Sequence, residues 1–135
     1  MSVILPDHLA LGADLDLAGA YGLHVVVDLH DCDLDTISSA AAIRQFRDEL
    51  LQLIQMDPYG EPFIERFALD NPTAAGYTLI QAITTSSITA HFSELTRRVY
   101  LDVFSCRLFQ PEAVAGFAGS FFGAAGYRTT VLIRQ

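Results

Sequence analysis

Six short segments of the chain have the composition of β-strands, and only two have the periodicity of helices. The first helical segment repeats apolar residues at three- to four-residue spacing from Ile43 to Ile54, and the second does so from Val114 to Phe122. Two helices are too few to cover both faces of a six-stranded sheet. The sequence therefore predicts an α+β fold, a two-layer sandwich in which a mostly antiparallel sheet carries two helices on one face.

The predicted elements follow one another in the order β-α-β-β-β-β-α-β. Asp33 or Asp35 can cap the first helix, and Pro111 opens the second. Residues 1–21 show no clear period, so we expect an irregular lead-in followed by a single domain at residues 22–135. β-branched or alternating segments predict the strands at residues 23–29, 62–69, 76–84, 88–92, 99–106 and 127–133.

The strand at residues 99–106 has one face that no helix remains to cover. Its side chains alternate, so that Tyr100 and Phe104 share this face. Large aromatic side chains on an uncovered face favour a protein partner. We therefore expect a homodimer.

The charge of the chain excludes several classes of partner. There are 16 acidic and 8 basic residues among 135, which gives a net charge of −8. Nucleic acids and anionic membranes need clustered positive charge, and no apolar run approaches the roughly 20 residues that span a bilayer. All the basic residues are arginines, so no lysine can hold pyridoxal phosphate as a Schiff base. We expect no nucleic acid, no membrane and no pyridoxal phosphate.

The two cysteines, Cys32 and Cys106, are too few and too far apart for a disulfide scaffold or a metal motif. The N-terminal residues lack the basic region of a signal peptide, so we expect a cytoplasmic protein with reduced thiols. His24, His30 and His91 have no ligand spacing with a carboxylate, which predicts no metal site. We expect a structural role for His24.

The residues that carry chemistry occur in a fixed order and spacing. Thr85-Ser-Ser-Ile-Thr-Ala-His91 is followed by Asp102-Val-Phe-Ser-Cys106, with the cysteine fifteen residues after the histidine. Upstream, Gly22-Leu-His24 opens a strand, and Gly76-Tyr-Thr78 ends eight residues before Ser86. In this order the segments resemble the S-adenosylmethionine decarboxylase family in its small prokaryotic form, which has Glu-Ser-His-x-x-x-His and Asp-x-Phe-Thr-Cys segments.

The resemblance implies a self-processing decarboxylase that depends on a pyruvoyl group. In that family the chain breaks before a serine that becomes the pyruvoyl group, which corresponds here to cleavage of the Thr85–Ser86 bond. By the same correspondence, His91 removes the Cα proton during cleavage and Thr78 assists its first step. Cys106 would protonate the product during turnover. The implied cofactor is thus the pyruvoyl group made from Ser86, and the substrate is a small molecule of amino-acid type.

Two pocket residues follow from the same resemblance. Phe67 corresponds to an aromatic wall of the substrate pocket, and Glu94 to a glutamate that binds the ribose hydroxyls of S-adenosylmethionine. Glu94 lies one position nearer to His91 than in the family, and a one-residue slip turns a strand side chain to the opposite face. A local turn could redirect it. Thr85 stands where the family has a glutamate before the reactive serine.

Three functions agree with this pattern. The commonest activity of the family is decarboxylation of S-adenosylmethionine, which makes the aminopropyl donor for polyamine and spermidine synthesis. A same-family decarboxylase of arginine or ornithine would need carboxylates for the distal cation, and Asp28, Glu94 and Asp102 are candidates. The third is an uncleaved binding or regulatory paralogue, which Thr85 and Ser87 favour.

Overall fold

A computed structural model describes residues 19–135; residues 1–18, which hold most of the expected lead-in, lie outside the described part of the chain. The six strands form one sheet in the order β2-β3-β4-β5-β1-β6, and every neighbouring pair is antiparallel. The predicted α+β class and antiparallel sheet are confirmed. The elements are β1 (Gly22–His30), α1 (Leu34–Ile37), α2 (Ala40–Ile54), β2 (Phe63–Phe67), β3 (Gly76–Ile83), β4 (Ser86–Ser93), β5 (Arg98–Ser105), α3 (Pro111–Phe121) and β6 (Gly126–Arg134).

Alternation along the strands separates a covered face of the sheet from an open face. In β1 the side chains of Leu23, Val25, Val27 and Leu29 are fully buried, whereas the side chains between them are partly exposed. The two long helices, α2 and α3, pack against each other and against the sheet, so both lie on the same, covered face. The opposite side of the sheet carries His24 and the other partly exposed side chains that alternate with the buried ones. We call it the open face.

A cluster of phenylalanines joins the helices to the sheet. The Phe46 ring of α2 stacks on Phe117 of α3, with 5.5 Å between centroids, and lies 4.6 Å from Phe122. Phe122 in turn meets Phe92 of β4 edge-on at 5.3 Å. Aromatic pairs of this kind add about 0.5–1.5 kcal/mol to the free energy of burial. The cluster therefore holds β4, which carries most of the motif residues, against the helical layer.

The first helical segment is divided in two by a second N-cap. The carboxylate of Asp33 accepts a hydrogen bond from the Thr36 N–H and begins α1, whereas the hydroxyl of Ser39 accepts from the Ala42 N–H and begins α2. The prediction of one helix capped by Asp33 or Asp35 is therefore wrong, because a second capping residue restarts the helix.

Strand β4 begins at Ser86, two residues earlier than predicted, so that only Thr84 and Thr85 remain in the turn.

Of the helices between residues 19 and 135, not one combines the length and apolar character needed to cross a bilayer.

Candidate active site

The Thr85–Ser86 bond lies in the turn of the β3–β4 hairpin. Ile83 pairs with Ser86, which leaves Thr84 and Thr85 as a two-residue loop. Ser86 also pairs with Ser105 at the end of β5. The next residue along the chain, Cys106, donates its backbone N–H to the Thr85 carbonyl oxygen at 3.0 Å. The structure thus brings together the residues on both sides of the predicted cleavage bond and the predicted catalytic cysteine.

The hydrogen bond to the Thr85 carbonyl has a direct chemical consequence. If the Ser86 hydroxyl adds to that carbonyl, negative charge develops on the carbonyl oxygen, and a backbone N–H already aimed at that oxygen stabilises the charge. Ser86 is half-buried, and Cys106 is exposed. This end of the sheet therefore holds a hydroxyl, a polarised carbonyl and an accessible thiol.

A second pair of predicted residues lies elsewhere on the sheet. Thr78 of β3 pairs with His91 of β4, and the Thr78 Oγ1 is 3.0 Å from the His91 Nδ1. The other ring nitrogen, Nε2, is 2.8 Å from the carbonyl oxygen of Ala74. Because a carbonyl can only accept, Nε2 carries the proton, and Nδ1 of the neutral ring accepts from the Thr78 hydroxyl. This is the arrangement of a hydroxyl with its base.

The two groups are separated within the chain. Ser86 and His91 are five residues apart on one strand, which corresponds to about 17 Å at the rise of an extended chain. By the alternation along β4, Ser86 lies on the covered face with the buried residues Ile88 and Ala90, whereas His91 lies on the open face. Within residues 19–135 of one chain, the structure does not bring His91 to the Thr85–Ser86 bond.

The two predicted pocket residues lie near His91, not near Ser86. Phe67 pairs in register with Gly76, and a methyl group on Gly76 would lie 3.6 Å from the Glu94 Cγ. The same methyl group would lie 1.7 Å from the Phe92 carbonyl oxygen, so only glycine allows this close approach. Phe67 and Glu94 thus flank one glycine at the end of the sheet that carries Thr78.

Glu94 is held by an arginine that the sequence analysis did not place in the site. Glu94 follows β4 in a turn, and its carboxylate accepts two hydrogen bonds from Arg66, at 2.9 Å from Nε and 2.6 Å from Nη2. These hydrogen bonds raise the pKa of Arg66 above its usual range. The expected local turn at Glu94 is present, and it directs the Glu94 carboxylate to the guanidinium of Arg66. The Arg66-Phe67 dipeptide in the sequence is the signal that could have indicated this pair.

Two further side-chain contacts involve β5, one on the open face and one beside Thr85. Nε2 of His24 lies 2.9 Å from the Asp102 carboxylate on the open face. Ser105, which the sequence analysis passed over, is fully buried and donates its hydroxyl to the Thr85 hydroxyl at 2.9 Å. Counting the register of β4 against β5 from the sequence could have placed Ser105 beside Ser86.

The two thiols have different environments. Cys32 is buried, and desolvation, together with the nearby charge of Asp31, raises the pKa of its thiol to about 11. Cys106 is exposed. In the part of the chain from residue 19 onward, no group of three histidine, cysteine or acidic side chains could hold a metal ion.

The chain is similar to known proteins both in sequence family and in fold. The S-adenosylmethionine decarboxylase family matches residues 23–135. The fold is similar to the crystal structure of the adenosylmethionine decarboxylase from Aquifex aeolicus VF5, with a TM-score of 0.72 and 18% sequence identity, over 85% of this chain and 91% of that chain. At this level of identity the likeness shows the fold alone. No curated protein matches by sequence.

Proposed function

Because this chain belongs to the S-adenosylmethionine decarboxylase family, we propose that it is a self-processing decarboxylase whose pyruvoyl group is made from Ser86. The observation that carries the proposal is the 3.0 Å hydrogen bond from the Cys106 N–H to the Thr85 carbonyl. It lies at the bond that must break and polarises the carbonyl that the Ser86 hydroxyl must attack.

Cleavage proceeds in steps that balance, with Ser86 and Cys106 from one chain, His91 from a second copy and one molecule of water. The Ser86 Oγ adds to the Thr85 carbonyl carbon, and the Cys106 N–H stabilises the oxyanion. The Thr85–Ser86 C–N bond then breaks as the nitrogen gains the proton that Oγ gave up, which leaves an ester. Removal of the Ser86 Cα proton by His91 breaks the Cβ–Oγ bond and releases the Thr85 carboxylate. The resulting Cα=Cβ enamine takes up a proton at Cβ and becomes an imine; water adds to the imine carbon, the nitrogen leaves as ammonia, and a pyruvoyl carbonyl results.

The pyruvoyl group, once made, supplies the electron sink that decarboxylation of an α-amino acid requires. The residues present fit it. Ser86 is the first residue of β4, so the group would begin a strand that stays paired with β3 and β5. The exposed Cys106 thiol lies beside that strand end and is the group that can return a proton to the product.

We infer that a second copy of the chain supplies His91 and Thr78, because the His91 of the same chain is about 17 Å from Ser86 along β4. In a two-fold dimer, any contact between one position and another occurs twice, with the roles exchanged. A two-fold axis between the two ends of β4 would bring the Thr78–His91 pair of each chain toward the Thr85–Ser86 bond of the other. Five large apolar side chains on the open face, each 41–46% exposed, would be covered by such a partner: Phe63, Phe67, Ile80, Tyr100 and Leu132.

The paired carboxylates favour S-adenosylmethionine over arginine or ornithine as substrate. A distal cation needs an uncompensated negative charge. The charge of Glu94 is compensated by Arg66, and one oxygen of Asp102 already contacts the His24 ring, so neither carboxylate is wholly free to bind a distal cation. Ribose hydroxyls need only lone pairs, which a carboxylate in an ion pair still offers. The product would be the aminopropyl donor of polyamine synthesis.

An intact mass spectrum of the denatured protein tests the proposal. We expect two species, residues 1–85 and residues 86–135 with a blocked N-terminus, and release of carbon dioxide from S-adenosylmethionine. A single stable species of 14.8 kDa would contradict self-processing and favour the uncleaved regulatory paralogue. Two fragments that release carbon dioxide only from arginine or ornithine would support self-processing and contradict S-adenosylmethionine as the substrate.

Loss of the Cys106 thiol is expected to spare cleavage and to slow turnover. General acid catalysis contributes about 10²–10⁴-fold, so Cys106→Ala should cleave fully and release carbon dioxide at least ~100-fold more slowly. Iodoacetamide at pH 8 should have the same effect on the cleaved protein, because Cys32 is buried and its pKa of about 11 keeps it protonated. The matched control is Cys32→Ser, which should remain sensitive to iodoacetamide. A Cys106→Ala turnover equal to wild type would remove the assigned role.

A further inference from the structure

The turn that contains the cleavage bond is not shaped by its own residues. Two-residue hairpin loops favour glycine, asparagine or aspartate, because the favoured turn types require positive φ. Here both positions are threonines, which are β-branched, and neither Thr84 nor Thr85 has a positive φ. Contacts with neighbouring segments must therefore set the orientation of the Thr85 carbonyl.

Those contacts come from both sides of the loop. On the main chain, the Thr84 N–H donates to the Asp57 carbonyl at 3.1 Å, and the Thr85 carbonyl accepts from Cys106. Among the side chains, the Thr85 hydroxyl accepts from Ser105 at 2.9 Å and donates to the Met56 sulfur at 3.3 Å. Thr85 is thus fixed at its carbonyl and at its hydroxyl.

Ser105 is well suited to hold the hydroxyl. It is fully buried, and its Oγ accepts from the Arg107 N–H at 2.9 Å while donating to Thr85. A backbone donor thus orients Ser105, Ser105 orients Thr85, and each hydroxyl donates once and accepts once. Such a chain of buried hydrogen bonds defines a single arrangement.

We propose that Ser105 is a positioning residue for self-cleavage, which acts through the Thr85 hydroxyl to hold the scissile carbonyl on the Cys106 N–H and within reach of the Ser86 hydroxyl. The proposal rests on the function proposed above. Ser105 exchanges no proton in this step. The new C–O bond still forms between the Ser86 Oγ and the Thr85 carbonyl carbon, and the bond that breaks is still the Thr85–Ser86 C–N bond. Its contribution is the position of one carbonyl group, and a misplacement of about 1 Å can cost about 10²-fold in rate.

Two departures from the family pattern contact each other at this point. Thr85 stands where the family has glutamate, and Ser105 stands where it has threonine before the cysteine. Their oxygens are 2.9 Å apart. The pair supplies a local support for the cleavage bond that does not depend on a carboxylate, so the two side chains should act as a unit.

The rate of cleavage after cell-free synthesis, followed by intact mass, tests the proposal. We expect Ser105→Ala and Thr85→Val each to slow cleavage at least ~10-fold, and the double variant to be no slower than the slower single one. Ser105→Thr keeps the hydroxyl and should cleave at nearly the wild-type rate. Carbon dioxide release per cleaved chain should be unchanged in Ser105→Ala, because Ser105 acts before the pyruvoyl group exists.

The matched control is Thr129→Val, which removes a buried hydroxyl that has no hydrogen-bond partner among residues 19–135. It should cleave as wild type. If Ser105→Ala fails to fold, the half-buried Thr85→Val still tests the contact from its other side. Folded Ser105→Ala or Thr85→Val that cleaves at the wild-type rate would overturn the positioning role and leave the proposed function intact. A wild-type chain that never cleaves would overturn both.

Discussion

Ser86→Ala is expected to remain one uncleaved species and to release no carbon dioxide from S-adenosylmethionine. The substitution removes the oxygen that attacks the Thr85 carbonyl, so neither the ester nor the pyruvoyl group can form. Ser86 is half-buried at the start of β4, so the free energy of unfolding should change by no more than about 0.5 kcal/mol. Intact mass, a decarboxylation assay and a melting curve check the three expectations.

The adjacent serine offers a matched control for that variant. Ser87→Ala changes the same atom one residue later and should cleave and turn over as wild type. Decarboxylation by folded Ser86→Ala protein would contradict the whole mechanism. Loss of cleavage in Ser87→Ala as well would indicate that the turn, and not the Ser86 hydroxyl, is what the substitutions disturb.

Two inactive chains should restore each other when they are produced together. His91→Ala alone lacks the base and should stay uncleaved, as should Ser86→Ala alone. In a mixed dimer, the Ser86→Ala chain supplies its His91 to the intact Ser86 of the other chain, which completes one of the two sites. With random pairing of equal amounts, half of the dimers are mixed, so about a quarter of wild-type activity is expected.

The fraction of His91→Ala chains that become cleaved, measured by intact mass with one chain tagged, checks this expectation. His24→Ala, a histidine substitution elsewhere on the open face, should cleave without help and serves as control. Co-produced chains that both stay uncleaved would place the whole site within one chain. Cleavage of His91→Ala alone at the wild-type rate would remove the role of His91.

The fold could be predicted largely because alternation and helical periodicity are local signals. Val99 to Ser105 alternate in burial as the sequence predicts, and the motifs around Ser86 and Cys106 identify the family, which the match over residues 23–135 confirms. The new helix start at Ser39 was not predicted, because a serine that caps a helix cannot be distinguished by residue type from a serine in a loop. Local signals therefore give the layers but not every boundary.

The arrangement of the site could be predicted only in part. The pairing of Thr78 with His91 follows from hairpin register, which a sequence can suggest. The ion pair of Arg66 with Glu94 joins residues 28 positions apart, and the contact of Ser105 with Thr85 joins residues 20 positions apart. Such contacts depend on how strands distant in sequence come together, so they can be predicted only after the register of those strands has been worked out.

If the chain is cut at the Thr85–Ser86 bond as proposed, the strand order has a consequence for the cleaved protein. Residues 19–85 provide β1, β2 and β3, and residues 86–135 provide β4, β5 and β6. In the sheet, β1 of the first fragment lies between β5 and β6 of the second. The two fragments are therefore interleaved, and neither can leave without breaking three strand pairings. Unfolding of the cleaved protein would separate two polypeptides, so reassembly would be a second-order process that slows on dilution.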